Sequence, residues 1–145
     1  MKFAVSIPFA ELLGLELVRF EHDEAEIALT LREELCNSWS VAHGGVTMTL
    51  LDVVMAHAAR SPRADGTIDS SGIVTVEMKT TFMRPAEGRL VGIGRRLHRT
   101  ASLAFCEATV VGAEGKLVAQ ATGTFKYMRA LATEGRKIQR ANASD

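Results

Sequence analysis

The sequence predicts an α+β fold in which a curved antiparallel sheet wraps one long central helix. Three observations carry that expectation. Residues 45–60 form one long run that is almost wholly apolar or small. Six segments carry strand signals and are joined mostly by short turns. Three of those segments place small side chains at every second position: Gly92 and Gly94; Ala104, Cys106 and Ala108; Ala119, Ala121 and Gly123. Glycine inside a strand marks close approach by another backbone, or a bend. Three small faces let a sheet curl tightly, and the long apolar helix is there to fill the space.

Residues 8–13 read as a short helix, with Pro8 near its start and Gly14 at its stop. Residues 15–21 and 24–31 read as strands joined by a tight His22-Asp23 turn. The second alternates, with Ala25, Ile27, Leu29 and Leu31 on one face and Glu24, Glu26, Ala28 and Thr30 on the other. Residues 32–42 are a loop. Residues 61–71 hold Pro, Gly, Asp and Ser and read as a surface loop. Four strands follow, at residues 72–83, 89–99, 102–112 and 117–128. Their short connections predict an antiparallel meander. The polar tail from Arg129 is expected to be loose or a frayed helix.

At 145 residues the chain is expected to be one domain, 1–145, with its core over about 15–128. Apolar residues make up 47%, enough for a real core. Lys and Arg number 17, Asp and Glu also 17, so the formal net charge is zero. That balance gives no electrostatic case for nucleic acid or an anionic membrane. No run of 18 apolar residues exists to span a bilayer. Pro8 and Glu11 interrupt the N-terminal apolar stretch too early for a signal peptide. Cys36 and Cys106 form no CxxC pair and no disulfide framework. The expected location is the cytoplasm.

Asp52 is the one carboxylate in the apolar helix. A helix that is apolar all round is normally buried, and burying an acid without partners is costly. Functional sites are the commonest places where such a cost is tolerated. An acid at one wet edge of the helix is the plainer reading. His43-Gly44-Gly45 stands where loop becomes helix. Glycine there lets a ligand approach the amides, and the first N–H groups of a helix have no internal partner. With the positive end of the helix dipole, they can stabilise a carbonyl oxygen that becomes an oxyanion. Asp52 lies eight residues beyond Gly44, about 12 Å along the axis. If both act on one carbonyl, they must come from different chains. Two antiparallel helices across a two-fold axis would supply that, which predicts a homodimer with two shared sites. Asn37 can hydrogen-bond from the loop or be an ordinary turn residue. The Thr75 hydroxyl can hold a water, orient Asp52, or belong to a plain strand residue.

The pattern Asn37-x5-His43-Gly44-Gly45-x6-Asp52, then Val74 to Met78 and Phe82 to Ala86, resembles the hotdog-fold acyl-CoA thioesterases. The likeness is greatest to the PaaI-like, phenylacetic-acid-degradation branch. It extends through residues 98–105 and 116–120, and covers roughly Leu15 to Lys126. The resemblance implies a hotdog fold and hydrolysis of acyl-CoA thioesters. It implies Asp52 as nucleophile or general base, and the Gly44 N–H polarising the carbonyl. It implies that Asn37 and His43 shape the pocket, and that Thr75 places the attacking water. By position it puts coenzyme A contacts at Gly45, Phe82, Arg84, Pro85, Arg99, Ser102 and Lys126. Arg84 and Arg99 also read as ordinary solvated cations. The resemblance implies sites between subunits of a homodimer that pairs further into a homotetramer. Coenzyme A arrives as part of the substrate, so no resident cofactor is expected.

Other chemistries fit less well. Cys36 has no activating partner in the sequence, and buried cysteines are usually inert. His43 and His57 lie fourteen residues apart with no ligand-spaced cysteine or second acid, so no metal site is expected. The His-Phe-Pro-Gly and Asp-x-Asn patterns of hotdog dehydratases are missing from the sequence. An acyl-CoA sensor needs an output domain, and no segment outside the core is expected to form one. A non-catalytic acyl-CoA-binding protein of the same fold is the alternative. Aryl, short-chain and medium-chain acyl groups all remain open. Trp39 can wall such a group or pack under its own loop.

Overall fold

The expected small faces meet the helix directly. In the computed structural model, which describes residues 1–67, 71–129, 136, 137 and 139, one six-stranded antiparallel sheet curls around a 17-residue helix. The elements are α1 (Pro8–Leu13), β1 (Glu16–Glu21), β2 (Glu24–Thr30), α2 (Gly44–Arg60), β3 (Gly72–Phe82), β4 (Arg89–Arg99), β5 (Leu103–Val111) and β6 (Leu117–Met128). Short 3-10 turns occupy Glu33–Leu35 and Ala113–Gly115. No helix among the described residues is long and apolar enough to cross a membrane.

Leu50, Leu51, Val54, Met55 and Ala58 of α2 are fully buried against the sheet. The packing is so close that side chains are excluded opposite them. A Cβ on Gly94 would stand 2.6 Å from the Val54 carbonyl oxygen, and one on Gly92 3.0 Å from Leu50 Cγ. A Cβ on Gly123 would stand 3.1 Å from Met55 Cε. At Gly94 only glycine admits the helix backbone at that distance; at Gly92 and Gly123 the contacts are with side chains.

The four late strands do not form one meander. The sheet order is β1-β2-β4-β5-β6-β3. Strands β4, β5 and β6 are consecutive neighbours as expected, but β3 pairs with β6 and not with β4. The chain after β3 is drawn away from a hairpin by the Met83 and Arg84 N–H groups, which both donate to Val118 O. Ala86 O and Gly88 O then accept from Ala42 and Leu31, across the end of the sheet. The glycine-bearing β4 thus enters beside β2 under the middle of α2, and β3 takes the far edge.

Other boundaries differ by a residue or two. The His22-Asp23 turn has φ of 52° and 65° at its two residues, the left-handed pair that matches strand twist. The β4–β5 turn is one residue longer than expected, because the Thr100 hydroxyl accepts from the Leu103 N–H at 2.9 Å and holds Ser102 outside the strand. Residues 68–70 of the 61–71 loop, and most of the tail from Arg129, lie outside the described residues.

Candidate active site on one face of the helix

Helix α2 starts at Gly44, one residue earlier than its sequence suggests, because His43 caps it. The Gly45 N–H donates to His43 Nδ1 at 2.9 Å, and His43 O accepts the first intrahelical bonds from Val46 and Thr47. Capping satisfies one of the orphan amides of a helix start. It also takes the Gly45 N–H away from any ligand. Among the described residues, no group accepts from the Gly44 N–H. Phe82, at the end of β3, lies against this residue, its ring 3.5 Å from where a Gly44 Cβ would stand.

Asp52 is half-exposed rather than buried. Helix α2 is not covered all round: Gly45, Met48, Thr49 and Asp52 lie on a face the sheet does not close. The acid stands at the wet edge of the helix within the single chain. Its partner is Thr75, whose hydroxyl donates to Asp52 Oδ1 at 2.7 Å. One carboxylate oxygen is therefore anchored. Thr75 reaches the helix because it pairs with the buried Phe125 and so faces inward. A β-bulge follows between Thr75 and Glu77, and bulges re-aim side chains in this way.

Asn37 holds the loop before the helix. Its Oδ1 accepts from the Trp39 N–H at 2.9 Å and from the Val41 N–H at 3.4 Å. Trp39 does not pack under its own loop; it is 84% exposed. Cys36 donates its thiol to Arg32 O at 3.5 Å. Burial pushes the Cys106 thiol up to about 12, so it stays protonated and inert.

The remaining residues fall at two ends of the molecule. Phe82, Arg84 and Pro85 lie by the start of α2, all exposed. Arg84 is tied down by Nη1, which donates to Leu117 O at 2.7 Å. Arg99, Ser102 and Lys126 lie at the other end, near Thr75. Arg99 is not a solvated strand-end cation: it is half-buried, with its guanidinium 4.0 Å over the Tyr127 ring. Ser102 sits in the β4–β5 turn and accepts from the Tyr127 N–H at 2.9 Å. Lys126 is exposed on β6, paired with Val74 and Leu103. Phe82 lies eight residues beyond Val74 along β3, roughly 26 Å. One chain does not bring the two groups together. Among the described residues, no cluster of His, Cys, Asp or Glu could hold a metal ion.

Sequence reading missed what fixes the far end of α2. Ala59 O accepts from both Arg96 Nη1 and the Tyr127 hydroxyl, and Arg96 is also ion-paired with Asp23. A cation at a helix C-terminus is favoured by the dipole. It also missed His57, buried between the edges of the Phe3 and Phe20 rings, with Nδ1 donating to Val53 O at 2.8 Å. Burial lowers its pKa from 6.5 to about 4, so the ring is neutral. The partners lie far away in sequence, and nothing local signals them.

A curled antiparallel sheet around one long helix matches a known class. Residues 40–119, more than half of the chain, match the Thioesterase superfamily. The chain belongs to that superfamily, with the hotdog fold, and is a thioester hydrolase. It is similar to the medium/long-chain acyl-CoA thioesterase YigI of Escherichia coli, 26% identical over 135 residues, 85% of this chain and 87% of that one. It resembles the solved conserved protein PA5202 of Pseudomonas aeruginosa, with a TM-score of 0.77 and 31% identity, covering 86% of this chain and 97% of that one. A point mutant of the phenylacetic acid degradation protein PaaI from Thermus thermophilus gives a TM-score of 0.70 and 29% identity, covering 83% and 98%.

Proposed function

We propose that this protein hydrolyses acyl-CoA thioesters to the free acid and coenzyme A, at sites shared across a homodimer. The observation that carries the reading is the Thr75-anchored Asp52 on the open face of α2, on the same helix as the unpaired Gly44 N–H. The two stand about 12 Å apart along one helix, too far to act on one carbonyl. Strand β3 ends the sheet, so its outer edge offers unpaired backbone groups to a second copy. A two-fold axis there would set Asp52 of one protomer facing the partner's Gly44.

The Gly44 N–H then polarises the thioester oxygen. Asp52 acts in one of two ways. As nucleophile it adds to the carbonyl, expels the coenzyme A thiolate, and leaves a mixed anhydride that water opens. As base it takes a proton from a water whose oxygen adds to the carbonyl, and the thiolate leaves. Thr75 aims the carboxylate in either case. Asn37 and His43 shape the loop and helix start that present the amide. The same symmetry would bring Phe82, Arg84 and Pro85 of one chain toward Arg99, Ser102 and Lys126 of the other. That union suits a long substrate ending in phosphates. We assign no resident cofactor, a cytoplasmic location, a single domain over 1–145, and pairing of dimers into a tetramer.

The test is thiol release from a panel of acyl- and aryl-CoA thioesters by wild type and Asp52→Asn, with the mass in solution measured alongside. Turnover by a dimer that disappears with Asp52 is expected. A folded dimer that binds coenzyme A and turns over no thioester would make the protein an acyl-CoA-binding protein instead.

A further inference from the structure

The chain has one tryptophan, Trp39. It is the most exposed large apolar side chain of the described residues. Leaving an indole in water forfeits the burial of a large apolar surface. The backbone beneath it is nevertheless firmly held. His43 N–H donates to Leu35 O at 2.9 Å, Cys36 bridges to Ala42, and Asn37 N–H donates to Val41 O at 2.8 Å. Residues 35–43 are thus a small antiparallel loop with Ser38, Trp39 and Ser40 at its tip. The Asn37 side chain accepts the Trp39 N–H, and Ser40 takes a left-handed φ of 61° to close the turn. A built turn presents the ring.

That turn ends in the His43 cap of α2. At about 3.3 Å per extended residue, the tip lies within ~13 Å of His43. Phe82 occupies the contact position against Gly44 itself. The two aromatic flanks differ in charge. Between Leu35 and Gly45 the chain has no Lys, Arg, Asp or Glu, whereas Phe82 is followed by Arg84. A thioester held by its carbonyl at the Gly44 N–H has two substituents. The pantetheine arm is polar and ends in phosphates, which suits the Arg84 side. The acyl group is apolar, which suits the uncharged side.

We propose that Trp39 walls the distal part of the acyl group, so that the site selects medium-chain or aryl acyl groups over acetyl. The assignment rests on the thioesterase reading above. Its test uses the single tryptophan as its own reporter. The full-length dimer is titrated with 2-oxodecyl-CoA, in which a methylene between sulfur and carbonyl blocks hydrolysis, and separately with acetonyl-CoA and coenzyme A. The long analogue is expected to shift Trp39 emission to the blue and protect it from acrylamide; the other two are not. In turnover, Trp39→Ala is expected to lower the ratio of octanoyl-CoA to acetyl-CoA kcat/KM about tenfold, the worth of ~1.4 kcal/mol of lost contact. Trp39→Phe is expected to keep most of that ratio. Emission unchanged by the bound long analogue, or an equal fall in kcat/KM for every acyl length, overturns the assignment. No turnover of any thioester by wild type, with the Trp39 response intact, overturns the hydrolase reading and leaves Trp39 as an acyl wall.

Discussion

The two faces of α2 are built on opposite terms. On the sheet side, Leu50, Val54 and Met55 press on Gly92, Gly94 and Gly123, and at Gly94 the helix backbone leaves no room for a methyl group. On the other side, Gly45, Met48, Thr49 and Asp52 are half or fully exposed. Polar contacts are few on the first face and decisive on the second. The tight face fixes the helix in place, aided by Arg96 and Tyr127 on Ala59 O. The open face can then hold an acid and an unpaired amide without packing of their own. Rigid support under an exposed site is what positioned chemistry requires.

The contrast can be broken from either side. The largest effect belongs to the open face: Asp52→Asn is expected to lower turnover by roughly 10²- to 10⁴-fold. Its melting temperature should stay near wild type, since the residue is half-exposed. A large loss of stability would show that the acid is part of the packing. Next comes the tight face. Gly94→Ala forces a Cβ toward Val54 O and is expected to cost about 3 kcal/mol in chemical denaturation. Activity per folded molecule should change far less than stability. Gly44→Ala makes the control, because its Cβ would meet Phe82 at ordinary contact distance and should leave the fold intact.

The His57 effect is of similar size, and pH sets it. Its pKa is about 4 when folded, against 6.5 ordinarily. Between those values the unfolded chain binds a proton that the folded chain refuses. The stabilisation is therefore complete above pH 6.5 and is lost as pH falls toward 4, amounting to about 3 kcal/mol. Urea unfolding from pH 7.5 to 4.5 should show that slope in wild type and a shallower one in His57→Gln. Equal slopes would mean that carboxylates carry the acid limb. The smallest effect sharpens the open face. Thr75→Val removes the hydrogen bond to Asp52 and keeps the side-chain shape. Losing a hydrogen bond to a charged group is worth roughly 1.5 kcal/mol or more, so kcat should fall about tenfold or more with KM little changed. An unchanged kcat would make Thr75 an ordinary strand residue.

Much of this was legible in the chain because the signals are local. The apolar run of α2, the tight His22-Asp23 turn and the Pro8 and Gly14 limits of α1 all follow from nearest neighbours. The small faces on β4, β5 and β6 predicted the close helix contact because period-two spacing puts them on one side. Other features depend on partners far along the chain. The Thr75 bond to Asp52 spans 23 residues, and the sequence offered it only as one of three readings of that hydroxyl; the contact of Phe82 with Gly44 spans 38, and no local pattern signals it. Short connections suggested that β3 neighbours β4, because loop length reports how far the chain can go and not which strand will receive it.

By itself the sequence determined most of the element bounds, the long apolar helix that the sheet must cover, and the residues that are candidates for chemistry on it. Those depend on side-chain type and period, which each segment carries within itself. Tertiary structure decided the strand order, the half-open setting of Asp52, the Thr75 anchor and the separation of the cationic groups to two ends. Each of these depends on which surfaces meet when the sheet closes on the helix. The Gly94 contact with Val54 O selects the central strand, and once β4 is there the edge is left to β3 and to whatever pairs with it.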